Sequence, residues 1–189
     1  MKIIYIDTET TGVNPKVNAV IQIAGAISAD GKTEDFDIRI APRLEARIDE
    51  GAMARNGTTL EQMKSYPSSA ESYKAFISLL SKYVDRYDRN DKFYFVGYNS
   101  SFDADFIREW FVQNNDEYFA SWFWNPTLDV MQLVAFHLIG RRHELANFKL
   151  GTVYKYLFGE DFENAHEAGS DIKATRRILN YVMEQQKKL

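Results

Sequence analysis

The chain contains no cysteine in its 189 residues. Disulfides, thiolate zinc centres and cysteine nucleophiles are therefore excluded, and the composition fits a reducing, intracellular setting. No apolar run approaches the roughly 20 residues needed to span a bilayer. Before Asp7 there is only Lys2 and a short apolar stretch, without the shape of a secretory leader, so a cytoplasmic location and no membrane partner are expected. Repeats, low-complexity tracts and linker-like segments are also missing, and a single domain over residues 1–189 is expected. Positive charge is scarce: 23 Lys and Arg face 27 Asp and Glu, for a formal charge of −4 and a pI near 5.5. Proteins that grip long duplexes through phosphates are usually basic. Any nucleic-acid partner must therefore be held locally, through metals or a small basic patch.

Hydrophobic residues make up 45% of the chain and aromatic ones 14%, enough for a sizeable core. Ile3 to Ile6 read as a buried strand, which runs into Asp7-Thr8-Glu9-Thr10-Thr11-Gly12. Residues 19–28 read as a second strand and 33–41 alternate as a third, joined by the hairpin signal Asp30-Gly31, so the first three strands form an antiparallel meander. A short helix is predicted over 57–66 and a longer one from Ser68 or Ser69 to about Tyr87, followed by a polar loop to Lys92. Phe93 to Tyr98 form a fourth strand, reached through helices and so parallel to the first. Helices follow at 101–114, 129–138 and 150–158, with a last one from Gly169 or Ser170; residues 115–127 read as irregular. The result is a single α/β domain with a mixed sheet.

Four carboxylates stand out against this frame. If the first strand stays extended, Asp7 and Glu9 share one side of it, because side chains alternate with period two. On the helix after the fourth strand, Asp103 falls on the stripe of Phe106, Ile107 and Trp110, where it either caps the helix or faces a cation. In the first turn of the last helix, Asp171 shares a side with Thr175, Ile178 and Val182. His166, five residues earlier, has an imidazole able to accept a proton near neutral pH, whereas His137 and His143 read as incidental. Inward carboxylates without thiolates suit Mg²⁺ or Mn²⁺, and such a charge density calls for about two ions.

These residues carry a family resemblance. Asp7-Thr8-Glu9-Thr10-Thr11-Gly12, Asn99-Ser100-Ser101-Phe102-Asp103 and His166-Glu167-Ala168-Gly169-Ser170-Asp171 resemble the three motifs of the DnaQ-like, or DEDDh, 3′–5′ exonucleases, which include the proofreading domain of the DNA polymerase III epsilon type. The resemblance implies an RNase H-like fold with five strands, the fifth at about 125–129 and parallel to the fourth. It implies catalysis by Asp7, Glu9, Asp103, His166 and Asp171, with the four acids holding two divalent ions and His166 acting as general base. The 3′ end of a nucleic acid, single-stranded DNA or a frayed terminus first and RNA second, is the implied partner, with a polymerase or repair protein beside it. In the family, the segment after the first motif contacts the terminal nucleotide, here Thr8, Thr10, Thr11 and Gly12, and a residue of the second strand flanks it, here Ile21 or Gln22. Phe102 is either a stacking platform or core packing; Asn99 either orients the strand or forms a turn. Two other readings are an RNA-trimming exoribonuclease of the RNase T or oligoribonuclease kind, and a non-catalytic nucleic-acid or polymerase-binding module. The aromatics of 118–124 are either core or a docking surface, and Arg141-Arg142-His143 with Lys149 either guides phosphates or is simply solvated.

Overall fold

The computed structural model describes residues 1–161 and 168–187. Its centre is a five-stranded sheet of order β3-β2-β1-β4-β5, formed by β1 (Ile3–Thr10), β2 (Val20–Ala29), β3 (Lys32–Arg39), β4 (Tyr94–Gly97) and β5 (Leu128–Asp129). The first three strands are an antiparallel meander, and β4 and β5 add in parallel, as the sequence and the family resemblance lead one to expect. At the β2–β3 hairpin, Asp30 and Gly31 take φ of 52° and 76°. This left-handed pair is what a two-residue hairpin turn requires, and it fixes Ala29 opposite Lys32.

Alternation along the strands splits the core into two layers. Ile4, Ile6, Ile23, Ile27 and Phe95 face α3 (Ser69–Ser81) and α4 (Ser100–Gln113), through Phe76, Leu80, Phe106 and Trp110. Tyr5, Ala26 and Val96 face α6 (Val130–His137), α7 (Leu150–Phe158) and α8 (Ala168–Gln186), through Val134, Val153, Ile172 and Ile178. Phe119, Trp122 and Phe123 are buried and extend the first layer, with α5 (Phe119–Trp122) inside the segment expected to be irregular. For those three aromatics, packing prevails over display.

Several boundaries differ from expectation. The helix α1 (Glu50–Asn56) was not foreseen, since it buries no residue and so carries no apolar stripe. The helix expected over 57–66 is α2 (Leu60–Lys64), opened by a capping box of Thr59 and Gln62. The helix α3, opened by Ser68 with Glu71, stops at Ser81 rather than near Tyr87. Asp129, expected to start a helix, ends β5 and caps α6 by accepting the Met131 amide at 3.0 Å.

Candidate active site

Asp7 and Glu9 lie within β1, which stays extended to Thr10. Their antiparallel partners are Ala24 and Gln22, so both side chains point to the same side of the sheet as Tyr5, toward the layer that holds α8. Between the pairs Glu9–Gln22 and Thr10–Val20, β2 carries one extra residue, Ile21. This β-bulge explains how Val20 joins the same core layer as Ile23, three positions on, which regular alternation forbids. Asp171 reaches the neighbourhood of Asp7 and Glu9 from the first turn of α8.

Asp103 comes from the other layer. The parallel ladder between β1 and β4 runs only from Ile3–Tyr94 to Tyr5–Val96. Thr8 lies beyond it, and both its amide (2.9 Å) and its hydroxyl (2.8 Å) donate to Asp103 Oδ1. The first turn of α4 thus takes the place of the missing part of β4. Neither Ser100 nor Ser101 is the N-cap of α4. That position belongs to Asn99, whose left-handed φ of 66° turns the chain and whose side chain makes no capping bond. The Asn99 amide donates to Asp129 Oδ1 at 2.9 Å, tying this turn to the end of β5. Asn99 is a turn former in this structure.

The electrostatics follow from this convergence. Burial holds the Asp7 carboxyl well above its ordinary range, and Asp103, Asp171 and Glu9 push it further. Glu9 is raised to about 7, by burial first and then by Asp171, against the pull of Arg39 and Arg55. Asp103 is raised by burial although its bonds from Thr8 favour the charged form. Arg39 and Arg55 escaped the sequence reading: Arg39 ends the half-exposed β3, and Arg55 sits on the unforeseen α1. Among the described residues no three acidic or imidazole side chains are drawn together as a ready-made metal-binding group. The donor set is nevertheless all oxygen, and the crowding that raises Asp7, Glu9 and Asp103 is what a divalent cation would relieve.

The turn after β1 is tightly tied. The Thr10 hydroxyl donates to the Gly12 carbonyl at 2.6 Å, and the buried Thr11 hydroxyl donates to the Arg47 carbonyl at 2.7 Å. A Cβ on Gly12 would stand 2.2 Å from Asn18 Nδ2 and 2.3 Å from Asp49 Oδ2, so only glycine fits there. Asn56, on α1, donates to the Thr10 carbonyl at 3.2 Å. Gln22 faces the acids but engages Asp37 at 2.9 Å, while Ile21 is fully buried at the bulge. Phe102 is half-buried, packing on the α3–α4 core with its ring 5.0 Å from Phe106. His166 lies outside the described residues. The Arg141-Arg142-His143 turn is an exposed 3₁₀ segment in which Arg142 stacks over Phe148.

Comparison with known proteins places this arrangement. Residues 4–179 match the family model for RNase T-type exonucleases. The chain belongs to this DnaQ-like exonuclease family. Among relatives of this exonuclease chain, the PolC-type DNA polymerase III of Clostridium perfringens is 25% identical over 185 residues, 97% of this chain and 11% of the relative. The PolC-type polymerase of Thermotoga maritima is 26% identical over 98% of this chain and 12% of its own. E. coli exonuclease I in complex with a dT13 oligonucleotide superposes with a TM-score of 0.79 at 21% identity, over 99% of this chain and 42% of that one. That likeness shows the fold. The exonuclease chain spans about a tenth of the PolC relatives' length and less than half of exonuclease I.

Proposed function

We propose that this chain is a metal-dependent 3′–5′ exonuclease unit, releasing nucleoside 5′-monophosphates from the 3′ ends of nucleic acid, single-stranded DNA or frayed termini first. One observation carries the reading: carboxylates from both faces of the sheet converge where the β1–β4 ladder stops, so that Asp7, Glu9 and Asp103 are held above their ordinary range, with Asp171 adding its charge against Asp7 and Glu9. In this reading those four side chains hold two divalent ions, Mg²⁺ or Mn²⁺, which when bound neutralise the phosphate and favour the ionised form of a water. Thr8 keeps Asp103 in place through its two bonds. The His166 imidazole takes the proton of the attacking water. The water oxygen bonds to phosphorus of the last phosphodiester as the bond to the preceding 3′-oxygen breaks. The Thr10–Gly12 turn and Gln22 shape the seat of the terminal nucleotide, with Phe102 and Asn99 at its edge. A DNA substrate and a polymerase setting are supported by the PolC-type relatives and by the oligonucleotide held by exonuclease I.

The test is a digestion of end-labelled single-stranded DNA, duplex DNA and RNA with Mg²⁺. A ladder of shortened products, fastest on single-stranded DNA, is expected, and His166→Ala is expected to slow it by about 100-fold or more. Unchanged hydrolysis in that variant would sink the assigned base, and faster trimming of RNA would move the reading to an exoribonuclease.

A further inference from the structure

In the loop between α3 and β4 an acid is followed directly by a base three times: Asp85-Arg86, Asp88-Arg89 and Asp91-Lys92. Its acids and its bases have different destinations. Asp85 Oδ1 accepts the Tyr87 amide at 3.0 Å, and Asp88 Oδ1 accepts the Asn90 amide at 2.8 Å. Asp91 pairs with Lys2 through Oδ1 and accepts the Asp85 amide at 3.0 Å through Oδ2. All three carboxylates fold the loop.

The bases one position on line an open cavity of about 550 Å³, together with Tyr87, Tyr118 and Ser121 and without any carboxylate. Among these bases Arg86 is already engaged: its guanidinium lies 5.3 Å from the Trp122 ring, 5.5 Å from Tyr118 and 5.9 Å from Tyr87, and pairs with Asp116 at 3.2 Å. The Lys92 ammonium donates to the Ala120 carbonyl at 2.6 Å. Arg89 has no ion pair among the described residues. Tyr87 and Tyr118 are 90% and 65% exposed, two accessible rings that share the Arg86 guanidinium and stand beside Arg89, Lys92 and the Ser121 hydroxyl. A bare inorganic anion has no use for the rings, and an apolar ligand none for the cations. A flat heteroaromatic base joined to a phosphate uses both, and the volume falls in the range of small-ligand sites.

We infer that this cavity is a second nucleotide-binding site, taking a base against Tyr87 or Tyr118 and its phosphate on Arg89 and Lys92. It lies at the end of the sheet opposite the carboxylates, because Lys92 precedes the parallel strand β4 whereas Asp103 follows it. The nucleotide is either free or a unit of a single strand whose 3′ end lies elsewhere.

Equilibrium binding with the full chain in EDTA tests this, independently of hydrolysis. The probes are labelled dT15 and dT3, with dTMP and orthophosphate as competitors, against wild type, Arg89→Glu and Tyr118→Ala, each verified by thermal melting. Both variants change exposed side chains and are expected to melt like wild type. Each is expected to lose about tenfold in affinity for the bound probe, and Arg89→Glu to flatten the salt dependence by at least about 0.7 in slope. Binding of dT15 well above dT3 assigns a strand, and displacement by dTMP alone assigns a free nucleotide; either supports the site. Absence of binding, equal binding by wild type and both variants, or orthophosphate competing as well as dTMP, overturns it.

Discussion

Where β1 runs out, Asp103, Asp171 and Glu9 press on Asp7, and Asp171 on Glu9; among the described residues Arg39 and Arg55 pull against them at Glu9 and the Thr8 amide and hydroxyl at Asp103. At the opposite end of the sheet, Asp85, Asp88 and Asp91 each hold an amide, and Asp91 also a lysine. The same side-chain chemistry therefore works in two senses. Carboxylates with donors to accept from stabilise the fold, while carboxylates turned toward one another cost stability unless a cation joins them. An acidic residue's contribution is set by what faces it.

Removing an acid from each end sharpens the contrast. Asp7→Asn is expected to abolish hydrolysis, by about 1,000-fold or more, and in metal-free buffer to raise the melting temperature by a few degrees because repulsion is relieved. A drop in metal-free stability would show that Asp7 is held by favourable contacts instead. Next in size is the response to pH. Asp7, Glu9 and Asp103 are all raised in the folded state, so folding retains protons that the unfolded chain releases. Their contribution is complete below the ordinary carboxylate range and lost as pH rises through about 7, the value for Glu9. Metal-free protein is thus expected to gain roughly 1–3 kcal/mol on going from about pH 8 to about pH 5.5, and Mg²⁺ to abolish that gain. Below that window the balance reverses, because the Asp91 and Asp116 carboxyls are lowered by their partners and protonation costs those contacts. Denaturant titrations across pH, with and without Mg²⁺, measure both limbs; a flat metal-free profile would contradict the raised carboxyls. The smallest effect belongs to the other end. Asp91→Ala, losing Lys2 and the Asp85 amide, is expected to cost about 1 kcal/mol with hydrolysis unchanged. Stabilisation by that variant would erase the contrast.

What could be read in advance follows the same division between local and long-range causes. The hairpin at Asp30-Gly31, the Ser68 start of α3 and the span 150–158 of α7 are set by turn chemistry, capping and periodicity within a few residues. The inward placement of Asp103 was legible because it shares a helix stripe with Phe106, Ile107 and Trp110. Its partner was not: Thr8 stands 95 residues away, and the pairing depends on β4 stopping short of it. The helix α1 carries no stripe, so Arg55 and Asn56 entered the site unannounced. The extra residue at Ile21 leaves no mark in a run where Val20 to Ile27 are all buried and alternation is silent. Asn99 was readable as either a turn former or a residue that orients the nucleic-acid strand, and its left-handed backbone bears out the turn.

The early end of the β1–β4 ladder has one more consequence. A continuous sheet is a wall, and groups on its two sides do not meet. By halting after three paired positions, β4 opens a notch through which Asp103, carried by the helix layer on one side, reaches the row of Asp7 and Glu9 on the other. Carrying the ladder three pairs further, to Thr8, would close that notch with backbone hydrogen bonds and shut the carboxylates into separate rooms.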